Sequence, residues 1–257
     1  MKTKIVLLLS IAFAFYLSSC SSNDNSTNPN PPGNGDYYKL KTGNYWVFNS
    51  ASTDPETNEV TTTRDSSIIV GQETIAGKEA FKYQTYSDGE DEGFNYQYSE
   101  NGSLYVLLKS LLPEDGMLPD LGSSLDNIWV KVADPNATAK WTIYSLDLTD
   151  IPLEFEGTQL KFSGNLTFEG LKGDKVIVPV MGKDQTAQKY TMNAVIKLST
   201  KIQGIPVPVE FTVPTNFFYV DGIGLVKTTT ESATVNLMVT TIKTPSSESN
   251  LINYKVN

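Results

Sequence analysis

The sequence predicts an all-β protein with minor helix: a single curved antiparallel sheet, or a half-barrel or sandwich, with a long apolar loop. Residues 190–198, 205–213 and 233–239 alternate apolar and polar side chains with period two, which is the pattern of a half-buried strand. Turns are predicted at Asp88-Gly89, Asn101-Gly102, Ser163-Gly164-Asn165 and Gly173-Asp174, because such residues accept the positive φ that tight hairpins need. Because long helical patterns are missing, sheet structure is favoured throughout.

Residues 1–19 are predicted to be an export signal. Lys2 and Lys4 precede the apolar run Ile5–Leu17, which only Ser10 interrupts. A positive start, a short apolar stretch and small residues before a cleavage point describe such a signal. The run is shorter than the roughly 20 residues that a membrane-spanning helix requires.

The signal ends in Leu17-Ser18-Ser19-Cys20, which resembles a bacterial lipobox. The resemblance implies cleavage before Cys20, diacylation of its thiol and attachment to a membrane through this N-terminal lipid anchor. The alternative is an ordinary signal whose cysteine falls near the cut. Since Ser21 does not resemble an inner-membrane retention signal, we expect the outer membrane, on its periplasmic face or at the cell surface.

The rest of the chain is predicted to divide into a tether and one domain. Residues 20–35 combine the lipidated cysteine with a run of Ser, Asn, Pro and Gly, a composition typical of a flexible spacer. Residues 36–257 contain neither a second linker nor an internal repeat, so they are expected to form a single β-rich domain.

Composition excludes several classes of function. The formal charge is −9, and loss of Lys2 and Lys4 with the signal would make it −11, which argues against nucleic acid as a partner. The chain has no histidine and one cysteine, so histidine triads, Cys-His dyads, histidine zinc sites and disulfides are all excluded. The catalytic routes that remain are carboxylate pairs, Ser-Lys pairs, lysine alone or tyrosine, and an enzyme is the third hypothesis. We predict no enzyme, no cofactor and no metal.

Several elements can be placed in chain order. The Gly43-Asn44 turn feeds an aromatic strand, and the acidic stretch Asp88–Gly93 lies between two strand-like runs. Leu107–Leu112 predicts one helical turn, followed by the long apolar loop Pro113–Gly122. Further along, Pro206 and Pro208 fall on the outward face of their strand, and because proline donates no hydrogen bond, an edge strand is expected.

Three segments resemble a group of Bacteroidota outer-membrane lipoproteins to which no activity is attached. They are Tyr37–Phe48, with Gly-Asn-Tyr-Trp-Val-Phe; Ile69–Tyr83; and Phe218–Lys227, with Gly-Ile-Gly-Leu-Val-Lys. The resemblance covers about a fifth of the chain after the signal. It implies a curved antiparallel sheet in the manner of lipoprotein-carrier domains.

Acidic residues offer two weaker hypotheses. Asp88–Gly93 contains oxygens that suit Ca²⁺, but the spacing of an EF-hand is missing, so a solvated hairpin tip is preferred. Asp147, Asp150, Glu154 and Glu156 fall within ten residues. They lack the opposed geometry of a glycosidase pair, and a polar outer strand face explains them more simply.

Five side chains are the candidates for contact with a ligand: Leu108, Leu111, Leu118, Trp129 and Trp141. The leucines belong to the helical turn and apolar loop, which could plug a core or cover a site. The tryptophans could stack on sugars or line an apolar site, although core packing is the commoner role. Two functions stay open: a binding module for an apolar small molecule or lipid, and a structural lipoprotein that contacts another envelope protein or glycan.

Overall fold

The computed structural model describes residues 37–111, 125, 127–155, 158–202, 204–237 and 240–257. These residues contain fourteen strands and one short 3₁₀ turn, Leu108–Leu111. The strands are β1 (Tyr45–Thr53), β2 (Val60–Ile75), β3 (Lys78–Ser87), β4 (Glu90–Glu100), β5 (Ser103–Leu107), β6 (Trp129–Ala133), β7 (Trp141–Phe155), β8 (Thr158–Val180), β9 (Lys183–Ile202), β10 (Ile205–Val220), β11 (Gly224–Thr230), β12 (Thr234–Leu237), β13 (Thr240–Lys243) and β14 (Ser246–Lys255).

Twelve strands form one antiparallel sheet in the order β6-β5-β4-β3-β2-β1-β14-β11-β10-β9-β8-β7, and β12 and β13 form a separate hairpin. Strands β1–β6 make a first half and β7–β11 a second half, each a simple meander. Strand β14 joins the halves by pairing with both β1 and β11. The prediction of an all-β fold built on a single antiparallel sheet is confirmed.

The sheet is curved, so its two outermost strands approach each other. The Trp141 indole N–H at the start of β7 donates to the Lys131 carbonyl oxygen of β6 over 3.0 Å. The Lys172 ammonium of β8 also donates to the carbonyl oxygen of Pro135. We call the face that carries the buried Trp46 and Phe168 the inner face.

Period-two alternation is confirmed in β9 and in most of β10, and in the run 233–239 the burial of Ala233 and Val235 agrees with it, while the side chains of Leu237 and Val239 lie outside the described residues. In β9 the inward side chains are between 1 % and 8 % exposed. They are Tyr190, Met192, Ala194, Ile196 and Leu198. In β10, Val207, Val209 and Val213 are buried as expected, but Ile205 is 61 % exposed because it lies beside the hairpin turn.

The edge-strand prediction for the proline segment is wrong for the strand as a whole, since β10 lies between β9 and β11. It holds locally. Strand β10 pairs with β9 along its full length but with β11 only from Thr215 to Val220. Pro206 and Pro208 therefore lie where β10 has one ladder partner, and their missing N–H groups cost no second ladder bond.

The predicted hairpins at Asp88-Gly89 and Asn101-Gly102 are confirmed. They connect β3 to β4 and β4 to β5 with positive φ at both residues of each pair. Two other predicted turns are wrong: Gly164 and Gly173 lie inside β8. A Cβ at Gly164 would lie 2.0 Å from the Lys197 carbonyl oxygen, so this glycine permits a close approach of β9. Gly173 lies at a register shift between Lys172 and Lys175.

Because every pairing is antiparallel, the connections divide between two ends of the sheet. The proximal end holds the start of β1 and the turns 76–77, 101–102, 181–182 and 221–223. Tyr37, Tyr38 and Leu40 are buried at this end without forming a strand. The distal end holds the connections 54–59 and 88–89 and the 3₁₀ turn.

The 3₁₀ turn at Leu108–Leu111 matches the predicted single helical turn. The long apolar loop predicted at 113–122 lies outside the described residues. No helix among the described residues is long and apolar enough to cross a membrane.

Candidate functional site

A cluster of three tyrosines occupies the inner face near the proximal end. Tyr38 contacts Tyr219 edge-on with ring centroids 5.4 Å apart, and Tyr190 contacts Tyr219 similarly at 6.0 Å. All three are at most 5 % exposed. Tyr190 is brought here by the alternation of β9 and Tyr219 by β10, while the segment before β1 inserts Tyr38 against both.

The tyrosine cluster buries polar groups. Neither the Tyr38 nor the Tyr190 hydroxyl makes a well-formed hydrogen bond within the described residues. Burial raises the pKa of both, and Tyr190 and Tyr219 raise the pKa of Tyr38 further. Both hydroxyls are therefore neutral near pH 7, and each can donate a hydrogen bond to an acceptor that enters the interior.

Asp134 lies within electrostatic reach of Tyr38 and Tyr190. Burial alone would raise the pKa of this carboxyl, but its bonds with the Lys131 ammonium and the Asn136 backbone N–H hold the pKa below its ordinary value. Asp134 thus places a carboxylate, already paired with a lysine, at the proximal edge of the tyrosine cluster.

The inner face of β2–β4 is polar as well as buried. Asp65, Ser67, Thr85 and Gln97 are each at most 2 % exposed. The Ser87 hydroxyl donates to one Asp65 carboxylate oxygen over 2.7 Å, and the Thr63 hydroxyl donates to the other over 3.1 Å. Two hydroxyls thereby compensate for the burial of this carboxylate.

Gln97 is different, because both its amide nitrogen and its amide oxygen are buried without a hydrogen-bond partner within the described residues. Its register opposite Phe81 and Val106 fixes it on the inner face of β4. Leaving a buried polar group unsatisfied costs about 1–3 kcal/mol. Native proteins rarely bury such a group without a reason, so Gln97 offers both a donor and an acceptor to a bound molecule.

The inner face of the second half is mostly apolar, and it continues one hydrophobic cluster with Trp46 of β1. Its members include Leu166, Phe168, Met192, Ile196, Val213 and Phe217. Polar side chains are buried in this half as well, at Thr200 and Thr215. The first half in turn contributes Ile69 and Tyr83 to the same cluster. Hydrogen-bonding groups therefore lie beside hydrocarbon in the interior, and this combination suits an amphiphilic molecule.

The predicted leucines are only partly placed. Leu108 and Leu111 are 0 % and 1 % exposed, and both belong to the buried cluster. Leu118 lies outside the described residues. Contact of these leucines with a ligand stays a prediction.

The two predicted tryptophans are half-buried and lie apart from the interior cluster of tyrosines. The Trp129 indole N–H donates to the Ile75 carbonyl oxygen over 3.1 Å, and its ring meets Tyr98 edge-on at 4.9 Å. Trp141 covers Gly170, where a Cβ would come within 2.2 Å of the indole ring. Each tryptophan thus has a structural contact, and its role in ligand contact stays a prediction.

The acidic stretch 88–93 forms the hairpin tip between β3 and β4, as preferred from the sequence. The glycosidase-like group of carboxylates is only partly described. Asp147 is exposed and accepts a hydrogen bond from the Asn165 amide, as expected for a polar outer strand face. The side chains of Glu154 and Glu156 lie outside the described residues. In the part of the chain that the structure describes, no three His, Cys, Asp or Glu side chains come together in a group that could hold a metal ion.

Sequence reasoning missed Tyr38, Tyr190 and Gln97 as candidates. Tyr190 was recognised only as an inward strand residue. Gln97 lies between Tyr96 and Tyr98 in the sequence, and this pattern is typical of a strand whose polar residue faces solvent. Only the pairing across the sheet shows that Gln97 faces inward and that its aromatic neighbours face outward.

Comparisons with known proteins find structural likeness alone. No protein-family model matches, and no curated protein sequence matches. A protein assigned as a lipoprotein from Parabacteroides distasonis has 12 % identity and a TM-score of 0.43, with 84 % of this chain and 96 % of that chain covered. A protein assigned as exported, with a YmcC-like fold, from Bacteroides fragilis has 9 % identity and a TM-score of 0.37 over the same shares.

A domain assigned to outer-membrane lipoprotein sorting from Vibrio parahaemolyticus has 12 % identity and a TM-score of 0.21, covering 84 % of this chain and 86 % of that chain. These descriptions agree with the group of proteins that the sequence resembles. Each of these three TM-scores is below 0.5, and none of these likenesses assigns a function to this chain.

Proposed function

We propose that this chain is a lipid-anchored, non-catalytic protein of the bacterial outer membrane that binds an apolar or amphiphilic lipid-like molecule inside its curved sheet. The observation that carries the proposal is the unpartnered Gln97 amide, buried on the inner face of β4 beside the hydrophobic cluster. A lipid would place its polar group against Gln97 and its hydrocarbon against that cluster.

The anchor is part of the same proposal. Cys20 follows a signal-like segment and is the single cysteine of the chain. Two acyl chains on this residue would hold the protein stably on a membrane, and the domain would then meet lipids that leave or enter that membrane.

Native mass spectrometry of the non-acylated domain, residues 36–257, exported to the periplasm and purified gently, tests the binding proposal. We expect a co-purifying lipid mass, with at least a fivefold lower occupancy in the Gln97→Met variant. The matched control is Gln84→Met, a glutamine of β3 that is on the outer face and bonded to Asp91. A bare mass in several preparations, with no uptake of added lysophospholipid, would overturn lipid binding.

A second candidate function has its own supporting observation. The outer face of β3–β5 carries an aromatic group in which Phe94 is 46 % exposed and lies 4.1 Å from the Lys82 ammonium. Tyr98 and Tyr105 stack beside it with centroids 4.7 Å apart. Such a surface suits contact with an envelope protein or glycan, and a bare mass in the experiment above would favour this function.

A further inference from the structure

The tyrosine cluster offers hydrogen-bond donors, and not charge, to the interior. Tyr38 and Tyr190 are 5 % and 1 % exposed, and neither hydroxyl makes a well-formed hydrogen bond within the described residues. Burial is the main cause that raises the pKa of both, and each hydroxyl also affects the pKa of the other, so the two lie close together. Both stay protonated near pH 7, and one acceptor atom can be reached by both.

Gln97 adds a second uncharged group at the same end of the interior. It precedes the proximal turn 101–102 on β4, and its side chain is 1 % exposed. Its amide nitrogen and its amide oxygen both lack a partner within the described residues. Near the proximal end the interior therefore presents neutral donors and one neutral acceptor.

The charged groups beside the tyrosine cluster are a carboxylate and two cations that are already bonded. The Asp134 side chain is 14 % exposed, and its negative charge contributes to raising the pKa of the tyrosine hydroxyls. The Lys131 ammonium is bonded to Asp134 itself, and the Lys172 ammonium to the carbonyl oxygen of Pro135. Asp134 would oppose an anionic ligand for the same reason that it opposes ionisation of the tyrosines.

The interior also lacks a cation that could compensate for a buried anion. In the part of the chain that the structure describes, no lysine or arginine side chain is buried. Lys39 and Lys189, which adjoin the two unpartnered tyrosines in the sequence, are only half-buried. An anionic head group would lose its hydration here without gaining a buried cation, whereas an uncharged head group would lose much less.

We propose that the interior selects a lipid whose head group is uncharged and carries carbonyl and hydroxyl groups, as in a monoacylglycerol. The ester carbonyl would accept hydrogen bonds from Tyr38 and Tyr190, and the glycerol hydroxyls would bond with the Gln97 amide. The acyl chain would lie against the hydrophobic cluster. This inference rests on the proposed lipid binding and names the head group of that same ligand.

The test compares lipids that share a chain of twelve carbons and differ in charge. The protein is the mature chain from residue 20 with Cys20→Ser, exported behind a signal without a lipobox and freed of co-purified lipid. Isothermal titration calorimetry below the micelle concentration measures monolauroylglycerol, anionic lauroyl lysophosphatidylglycerol and cationic dodecylamine. We expect monolauroylglycerol to bind about tenfold more tightly than either charged lipid.

Two conservative variants test the tyrosine hydroxyls. Tyr38→Phe and Tyr190→Phe should each weaken monolauroylglycerol binding about fivefold, because each removes one hydrogen bond to the ligand. The unfolding midpoint of the lipid-free protein should not fall, since each variant keeps the ring and removes an unpartnered hydroxyl. Tyr86→Phe is the matched control, because Tyr86 is half-buried on β3 beside the inward Thr85 and so faces outward. Unchanged affinity in both cluster variants overturns the tyrosine contact.

A third variant tests the charge argument separately. Asp134→Asn removes the carboxylate and leaves Lys131 without its partner, so lauroyl lysophosphatidylglycerol should bind about fivefold more tightly, while monolauroylglycerol should change less than about twofold. No gain for the anionic lipid contradicts the role given to Asp134 in excluding anions.

The lipid comparison also separates this inference from the proposed function. If the charged lipids bind as tightly as monolauroylglycerol or more tightly, the head-group inference is overturned and lipid binding stands. If none of the three lipids binds, the proposed function is overturned, and this inference with it.

Discussion

The two halves of the sheet bury different mixtures of side chains on their inner faces. On β2–β4 the buried residues include Asp65, Thr85 and Gln97, whereas on β8 and β9 they include Phe168 and Met192, and all five are at most 2 % exposed. Both halves contribute apolar side chains to one hydrophobic cluster, and those of the first half include Ile69 and Tyr83. The first half therefore combines part of the core with buried hydrogen-bonding groups such as the Gln97 amide.

This difference predicts that a core ring of the second half contributes more to stability than a buried hydroxyl of the first half. Phe168→Ala removes a ring that is 1 % exposed, and loss of burial together with the cavity left behind should lower the free energy of unfolding by about 3–5 kcal/mol. Denaturant titration with intrinsic fluorescence measures the change. Thr85→Ala in the first half, which loses one 3.3 Å hydrogen bond to the Gly93 carbonyl oxygen, should cost only about 1 kcal/mol.

Equal losses from Phe168→Ala and Thr85→Ala would contradict this prediction. The buried Thr85 hydroxyl would then stabilise the fold as much as the Phe168 ring does, and its role would be structural. Phe168→Leu is the milder control for the second half, because it keeps most of the buried hydrocarbon.

A substitution at Gln97 should have the opposite sign. Gln97→Met removes an unpartnered buried amide and keeps a side chain of similar length, so the ligand-free domain should gain about 1–2 kcal/mol of stability. The measurement is the unfolding midpoint of protein from which lipid has been extracted. A loss of stability would mean that the amide is satisfied in solution, and its proposed role toward a ligand would have no basis.

The sheet was predictable because its signals are local. Alternation in β9 and the Asn101-Gly102 pair need no information from elsewhere in the chain. The turn predictions at Gly164 and Gly173 are wrong because glycine also occurs within strands, where it allows a neighbouring strand to approach closely or the pairing to become irregular. What decides between these uses is the neighbouring strand, which is far away in the sequence.

The candidate site was much less predictable than the sheet. The sequence pointed to Leu108 and Trp129 because large apolar residues suggest a ligand, but large apolar residues also build any core. Tyr38, Tyr190 and Tyr219 meet only because the segment before β1 crosses to β9 and β10. Gln97 stands out only through the absence of a partner, and a sequence does not show which polar groups are satisfied.

The smallest expected effect on stability concerns Asp134. This residue lies between the two halves, since it follows β6 and acts electrostatically on Tyr190 of β9. Its pKa is lowered in the folded protein by Lys131 and the Asn136 N–H, against the effect of burial. Protons therefore bind more tightly to the unfolded chain. The contribution to stability is complete above the unfolded pKa of about 3.9 and is lost as the pH falls through the lower folded pKa.

Asp134→Asn should accordingly cost up to about 1 kcal/mol at pH 7, because the ion pair is partly exposed to solvent, and almost nothing at pH 2. The check is the free energy of unfolding of both proteins between pH 7 and pH 2. Asp54 and Glu248, whose pKa values are also lowered, are present in both proteins, so their contributions cancel in the difference. If the difference in unfolding free energy between the two proteins does not change with pH, the Asp134 carboxylate is not stabilised by Lys131 and the Asn136 N–H.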